Sequence, residues 1–351
     1  KTNDMKLIRD SYMALKYKLG RIPSVLEFRQ YGSIDITKVF DKMGSYYAFL
    51  KRYEPDYSVE LSGAEMQVME YLSSKLVSYK RIYEIALLQY LIANKSVSVD
   101  TFNSYLADEY QASMPTLVCE SVIRNLTNQF PKDIEQKKYD KCTLISVNQD
   151  GKIELSSNFQ DMLQNESFAD MVCEMLEFGK LRFLENYKNT YKDTSFQLYQ
   201  KYTYEDVCRL LCWKRNMNSL NIGGYFYDSY TKTLPVFINY QKSEDAIAYE
   251  DRFLSENVLV ALSKHPRSIS SSDAIHIYKK SSEDEDNRIL LFVRKNKDDK
   301  EAKEFYFLGE MFAEGEPTPI HMESTKDDAF EITYRLDVSV KADIYDYIIG
   351  D

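Results

Sequence analysis

Between Thr203 and Gly309 the chain alternates short aromatic runs with charged turns, and that rhythm limits the folds open to it. The stretch opens YTYEDVCRLLCW, passes through NIGGYFYD, LPVFINY, AIAYEDRFLSENVLVALSKHPRSISSSDA and RILLFVRKN, and closes with KEFYFLGE. Thr203 and Asp206 have the T-x-x-D spacing of a capping box, so a helix burying Val207, Leu210 and Leu211 is expected first. Strands this short at turn-punctuated spacing point to a barrel or a strongly bent sheet rather than a helical domain. Val258–Leu262 reads as a buried strand, and VKADIYDYIIGD as a closing helix.

What precedes this region reads as helical. Met5, Ile8, Tyr12, Leu15 and Leu19 keep near-helical spacing over residues 4–19, and Gly20 stops that helix. Pro23 and Ser24 open a second short helix that ends at Gly32, and DITKVFDKMG and SYYAFLKRY supply two more. EPDYSVELSG, residues 54–63, reads as a linker. Helical periodicity resumes over 64–77 and 82–92, Ser98 is placed to cap the next helix, and residues 114–129 form an amphipathic one with Pro115 in its first turn. CTLISVNQDGKIEL has the pattern of a hairpin turning at Asp150-Gly151. Three helices and a hairpin is the order of a winged helix. Arg124 is the only basic residue on the helix that would enter a groove, so a structural wing is the reading. Two further helical stretches lie within 157–199, and their Met, Cys and Leu stripe reads as core.

The expected class is therefore α+β. Three parts are expected: a helix-turn-helix-like domain over 1–56, a helical domain with a hairpin wing over 64–200, and a barrel-like domain with flanking helices over 201–351. Length allows this, since 351 residues can form two or three cores. The chain starts at Lys1 without an initiator Met, and the expectation is a segment of a longer protein. No apolar run approaches the ~20 residues of a membrane span, so no membrane partner is expected. Five scattered cysteines fit a reduced, cytoplasmic chain better than a disulfide framework. Cys208 and Cys212 share a helix face, but none of the three histidines is near them in sequence. Core burial is the reading there, with no metal and no cofactor expected. SSEDED and KNKDDKEAKE read as solvated turns.

A net charge of −10 excludes a blanket nucleic-acid coat, so any contact with phosphates must be local. In the basic first 60 residues Lys38, Lys42, Lys51 and Arg52 are candidates for the DNA backbone, the alternative being an idle helical domain. The region richest in candidate chemistry surrounds NIGGYFYD and AYEDRFLSENVLVALSKHPRSIS. Gly223 and Gly224 permit close approach of a strand or a ligand. Tyr225 and Tyr227 share one strand face, with Phe226 on the other. Tyr225, Tyr227, Tyr249 and Phe253 could stack on a base, Ser263 could read its edge, and Arg252, Lys264 and Arg267 could hold phosphates. In the competing reading Tyr249 and Phe253 pack in the barrel and Arg252 pairs with Glu250 or Asp251.

Gly20, Pro23, Ser24, Phe28, Phe40, Gly44, Ser45 and Tyr46 follow a G-x-x-P-S … F-x-x-x-G-S-[YW] pattern. It resembles a small helix-turn-helix-like repeat associated with homing endonucleases and some bacterial helicases. The order of motifs from YTYEDVCRLLCW to KEFYFLGE resembles the uncharacterised domain at the carboxyl end of bacterial superfamily II helicases, proteins that often carry a phospholipase-D-like nuclease domain. The FVRK…FYFLGE pattern is also similar to barrels of the PUA, EVE and SRA type, which recognise modified bases. These resemblances imply a non-catalytic DNA-binding and regulatory region of a helicase, acting in restriction or phage defence. Its implied partners are modified or single-stranded DNA and upstream helicase and nuclease domains. The chain has no G-x-x-x-x-G-K-[ST] loop, no Asp-Glu box and no His-x-Lys motif, so no catalysis is expected from it. The alternative is a protein-interaction module that docks the motor or a partner subunit, which the acidic balance and abundant Tyr favour.

Overall fold

The computed structural model describes residues 2–217, 224, 226–240, 251–264, 266–295, 303–323 and 325–350. They form two compact units, Lys1–Lys188 and Asn189–Asp351.

In the first unit, α1 (Thr2–Leu19) turns Ile8, Tyr12 and Leu15 inward. α2 (Val25–Tyr31) starts at a Ser24–Glu27 capping box, an arrangement worth about 1 kcal/mol. α3 (Thr37–Met43) ends at Gly44, whose φ of 86° favours glycine, and α4 (Tyr46–Tyr53) begins at the Ser45 cap. The recurring Gly and Ser residues are thus helix punctuation, while Phe28, Phe40 and Tyr46 are core. Residues 54–63 are tied into this unit rather than slung between domains. Glu54 accepts hydrogen bonds from Tyr12 (2.6 Å) and Lys16 (2.7 Å), and buried Leu61 donates its N–H to Tyr47 Oη at 3.1 Å.

α5 (Gly63–Tyr71) stops short of Val77. A π-helical turn over Leu72–Leu76 and a 3-10 turn over Val77–Tyr79 replace its end. Ser73 and Ser74 each donate to the carbonyl four residues back at 2.7 Å, which loosens the regular ladder. Next come α6 (Tyr83–Asn94), β1 (Ser96–Val97), α7 (Val99–Tyr110), α8 (Thr116–Leu126) and α9 (Asp133–Lys138). The expected hairpin is β2 (Ile145–Val147) and β3 (Ile153–Leu155), turning at Gly151 with φ 77°. β1, unforeseen in the sequence, completes a sheet of order β1-β3-β2. α8 turns Ser121 and Asn125 into a buried network: Arg81 donates to Glu84 (2.7 Å) and Ser121 (3.0 Å), and Asn125 donates to Glu84 (2.8 Å). Two of its polar residues are therefore spent inward. α10 (Ser157–Met162) leads to α11 (Glu166–Asn186), the long helix against which α2 and α6 pack.

The second unit holds β4 (Lys201–Tyr202), α12 (Tyr204–Leu210), β5 (Thr233–Asn239), β6 (Arg252–Ser255) and β7 (Val258–Leu262). α13 (Ser272–Ile277), β8 (Arg288–Arg294), β9 (Phe305–His321), β10 (Asp328–Leu336) and α14 (Ala342–Ile349) follow. The Thr203–Asp206 capping box forms as expected. The sheet order is β5-β8-β9-β10-β7-β6, with β4 on β9 and only β5–β8 parallel. Leu234, Val236, Ile289 and Leu291 fill one face, while Phe237, Phe292 and Phe307 pack with Phe196 on the other. Burial on both faces is why LPVFI and ILLFV are continuously apolar rather than alternating.

The two end strands do not pair. Instead Tyr240, just beyond β5, accepts the Phe253 N–H of β6 at 2.9 Å. The expected α+β class holds, and the barrel-like region is a mixed sheet whose two end strands are linked by the Tyr240 side chain. The free side of β5 is met at two points: Thr233 N–H donates to Asp228 O (3.3 Å) and Phe237 N–H to Gly224 O (2.5 Å). That register sets Phe226 opposite Pro235, the one residue between them facing outward, which has no N–H to offer. Among the described residues no helix is long and apolar enough to cross a membrane.

Candidate nucleic-acid interface

Two loops and one short helix build the site in the second unit. Trp213, buried after α12, donates its indole N–H to Thr233 Oγ1 at 2.9 Å and lies 5.5 Å from the Phe226 ring. Lys264 Nζ stands 5.9 Å from the centroid of that ring, and the exposed Arg215 guanidinium is also 5.9 Å from it. Lys214 lies over Tyr230 at 3.8 Å. Burial pushes the half-buried Lys264 amine below the usual lysine range, Asp273 opposes that shift and Arg267 adds to it. Arg267 Nε pairs with Asp273 at 2.8 Å, and its backbone N–H donates to Asp328 O at 2.8 Å.

Asp273 belongs to α13, and His276 follows one turn later on the same helix. The His276 ring stacks on Tyr227 at 3.9 Å and 19°. Tyr227 Oη donates to Asn287 Oδ1 at 2.8 Å, and Asn287 in turn donates to Asp284 at 2.7 Å. Asp284 also meets His276 Nδ1 at 2.8 Å and accepts from Ser281 at 2.7 Å. Burial works against the Asp284 charge, but bonds from His276, Ser281 and Asn287 outweigh it and hold the carboxyl below the usual range. The arrangement offers cations beside aromatic faces, with Arg267 held by half-buried Asp273 and the His276–Tyr227 pair by buried Asp284.

The structure brings Tyr227, Lys264 and Arg267 together around α13. Tyr227 is already stacked on His276, however, and the ring beneath the cations is Phe226. Ser263 is buried, donating to Lys264 O and accepting from Phe330 N–H, both at 2.9 Å, so its hydroxyl holds backbone and does not face a ligand. Phe253 packs against Tyr240 (5.5 Å) and Tyr345 (5.8 Å), which realises the packing alternative and not base stacking. Arg252 is exposed on the edge strand and pairs with Glu331 at 3.3 Å, while Glu250 lies outside the described residues. Tyr225, Tyr249, Gly223 and His265 lie outside the described residues. Gly224 has φ 98° and open space where a Cβ would lie, so its backbone angle and not close approach is what favours glycine there.

The SSEDED stretch is not wholly a solvated turn, because Asp284 is 3% exposed and anchors the His276 side of the site. Trp213-Lys214-Arg215, an aromatic followed by two cations, was the available sequence signal for residues overlooked there. Cys208 and Cys212 are buried thiols, not joined in a disulfide, and no metal-ligand cluster occurs among the described residues.

In the helical unit Lys38 is exposed, Lys42 pairs with Asp4 (3.3 Å) and Lys51 with Glu60 (2.5 Å). Arg52 and Arg9 lie 5.4 and 4.9 Å from the Tyr53 ring. Only Arg52 of the four predicted cations shares an aromatic face with a second cation.

No curated protein matches the chain. The DNA modification-dependent restriction endonuclease AspBHI is similar at 14% identity and TM-score 0.27, over 44% of this chain and 80% of that one. KRYPTONITE in complex with mCHG DNA and SAH matches at 8% and 0.29, over 47% of this chain and 38% of that one. Arabidopsis thaliana SUVH6 in complex with SAM matches at 12% and 0.29, over 64% and 38% respectively. Likeness at these scores carries no argument about what this chain does. The family profile described as Domain of unknown function (DUF3427) matches residues 196–348, most of the sheet unit. Domain of unknown function (DUF8090) matches residues 8–189. That second profile spans just over half of the sequence, and the chain belongs to the DUF8090 family.

Proposed function

We propose that the chain is a non-catalytic DNA-binding and regulatory region of a bacterial superfamily II helicase, with the sheet unit inspecting modified or extruded bases. One observation carries the reading: Lys264, half withdrawn from water, is held beside the Phe226 ring with Arg215 and Arg267 at hand, in a chain of net charge −10. A phosphate would restore the favourable setting that the Lys264 charge loses on burial. The aromatic face offers a base a stacking partner worth ~1–3 kcal/mol, which offsets the few kcal/mol of extrusion. The helicase context and a cytoplasmic setting rest on the motif resemblances and the reduced cysteines. A second reading, a module docking a motor or partner subunit, draws on Leu7, Met13 and Tyr17, exposed at 50%, 55% and 92% on α1.

The test compares binding of plain, methylated, hydroxymethylated and single-stranded DNA across a salt series. Lys264→Ala with Arg215→Ala is expected to flatten the log–log salt slope by about one unit for each phosphate no longer neutralised. Lys264→Arg is expected to keep affinity but remove its early decline at alkaline pH, since the lowered lysine pKa makes that charge vanish before those of surface lysines. Equal and negligible affinity for all four DNA forms would sink the proposal.

A further inference from the structure

We propose that the helical unit carries a binding site for an organic cation of the methylated-ammonium class, in the cavity that Glu174 shares with Tyr46, Tyr47 and Tyr57. The cavity measures about 200 Å³. That is far more than one water, whose share of liquid volume is about 30 Å³. Two of its rings are fixed by their hydroxyls. Tyr46 donates to Pro23 O at 2.8 Å, and Tyr47 accepts from Leu61 N–H at 3.1 Å. Tyr57 stands edge-on to Tyr47 at 5.9 Å and 67°, half-buried, with its hydroxyl pushed up to about 12 by burial and by nearby Tyr47 and Glu174. Met69, Met171 and Met175 supply polarizable walls.

Two carboxyls line the cavity, Glu27 and Glu174, and the one that Arg21 does not take up, Glu174, selects the ligand. Glu174 Oε1 accepts from Leu26 N–H at 3.1 Å, and no cation is paired with it among the described residues. Arg21, which also lines the cavity, already gives Nη1 and Nη2 to the two oxygens of Glu27 at 2.6 Å each. Burial raises the Glu174 pKa, against the pull of backbone bonds from Leu26 and Val25. Holding the start of α2 needs only one neutral oxygen, which a glutamine would supply without a charge to desolvate. A phosphate would be repelled, and an uncharged guest would leave the carboxylate uncompensated. A cation with an apolar shell satisfies both the carboxylate and the ring faces.

The test uses the whole chain with methyl-labelled methionine and follows the NMR signals of Met69, Met171 and Met175. Choline chloride and a trimethyllysine peptide are titrated, and the tighter of the two identifies a free amine or a protein side chain as the source. Both neohexyl alcohol, the neutral isostere of choline, and the Glu174→Gln variant are expected to show binding weakened roughly tenfold, the scale of one cation–π or ion-pair interaction. Tyr57→Leu, at the half-buried mouth, provides the same comparison should Glu174→Gln fail to fold. No shift with either cation, or equal shifts from the neutral isostere, overturns the site. So does unchanged choline binding in the variants. The site lies in the helical unit, so its failure leaves the DNA reading of the sheet unit standing.

Discussion

Glu54 and Glu174 are both turned into the helical unit, yet their carboxyls shift in opposite directions. Hydrogen bonds from Lys16 and then Tyr12 hold Glu54 below the usual range, while burial lifts Glu174 above it. A lowered glutamate pKa adds stability above its unfolded value near ~4.3, and that stability drains away as pH falls through the folded value. Glu54→Gln is therefore expected to destabilise the chain by about 1–3 kcal/mol at neutral pH, with the gap to the parent narrowing in acid. Urea unfolding over a pH series measures it, and a gap that stays constant into acid would contradict the assignment. Glu174 has the reverse sign: its folded form holds a proton longer, so its ionisation costs stability as pH rises.

Helices were the most legible elements because their ends are written locally. Ser98 and Thr203 cap where the sequence implied, and Ser24, one of the two residues expected to open α2, caps it too, each side chain accepting a backbone N–H three residues on. Departures came from pairings distant in sequence. β1 exists because β3 pairs with it across more than fifty residues, and the end of α5 unwinds through serine hydroxyls. Gly179 in α11 gives another long-range constraint. An added Cβ there would lie 2.6 Å from Ile85 Cδ1 and 2.9 Å from Val77 Cγ1. Alanine normally gains about 1 kcal/mol over glycine within a helix, but overpacking costs about 1–3 kcal/mol. Gly179→Ala is thus expected to lower the thermal midpoint despite its better helix propensity. A raised midpoint would show that Ile85 moves aside freely.

At the scale of the whole molecule, the order of a helical part followed by a sheet part could be read from pattern, whereas the first two expected parts, 1–56 and 64–200, fall as far as Lys188 in one compact unit. Lys264, Arg267 and Tyr227, singled out because suitable residue types cluster in sequence, do lie around one helix. Phe226, His276 and Asp284 were not singled out, because their roles depend on α13 and the 281–287 turn folding against the β5 edge. That edge carries one more consequence. The segment bearing Phe226 and Tyr227 is fastened to β5 at Thr233 and Phe237, with Pro235 interrupting the row between them. The described backbone bonds to β5 are separate fastenings and not a continuous ladder, so we predict that this tab parts from β5 more readily than a fully paired strand would, its remaining hold being the side chains of Phe226 and Tyr227. Amide hydrogen exchange should report this directly: Thr233 and Phe237 are expected to lose protection well before Leu234, Val236 and Ile238, which face β8. Pro235→Val would add a third fastening opposite Phe226 and slow exchange at its two neighbours. Uniform protection along β5 in the parent would mean that the tab is a permanent strand.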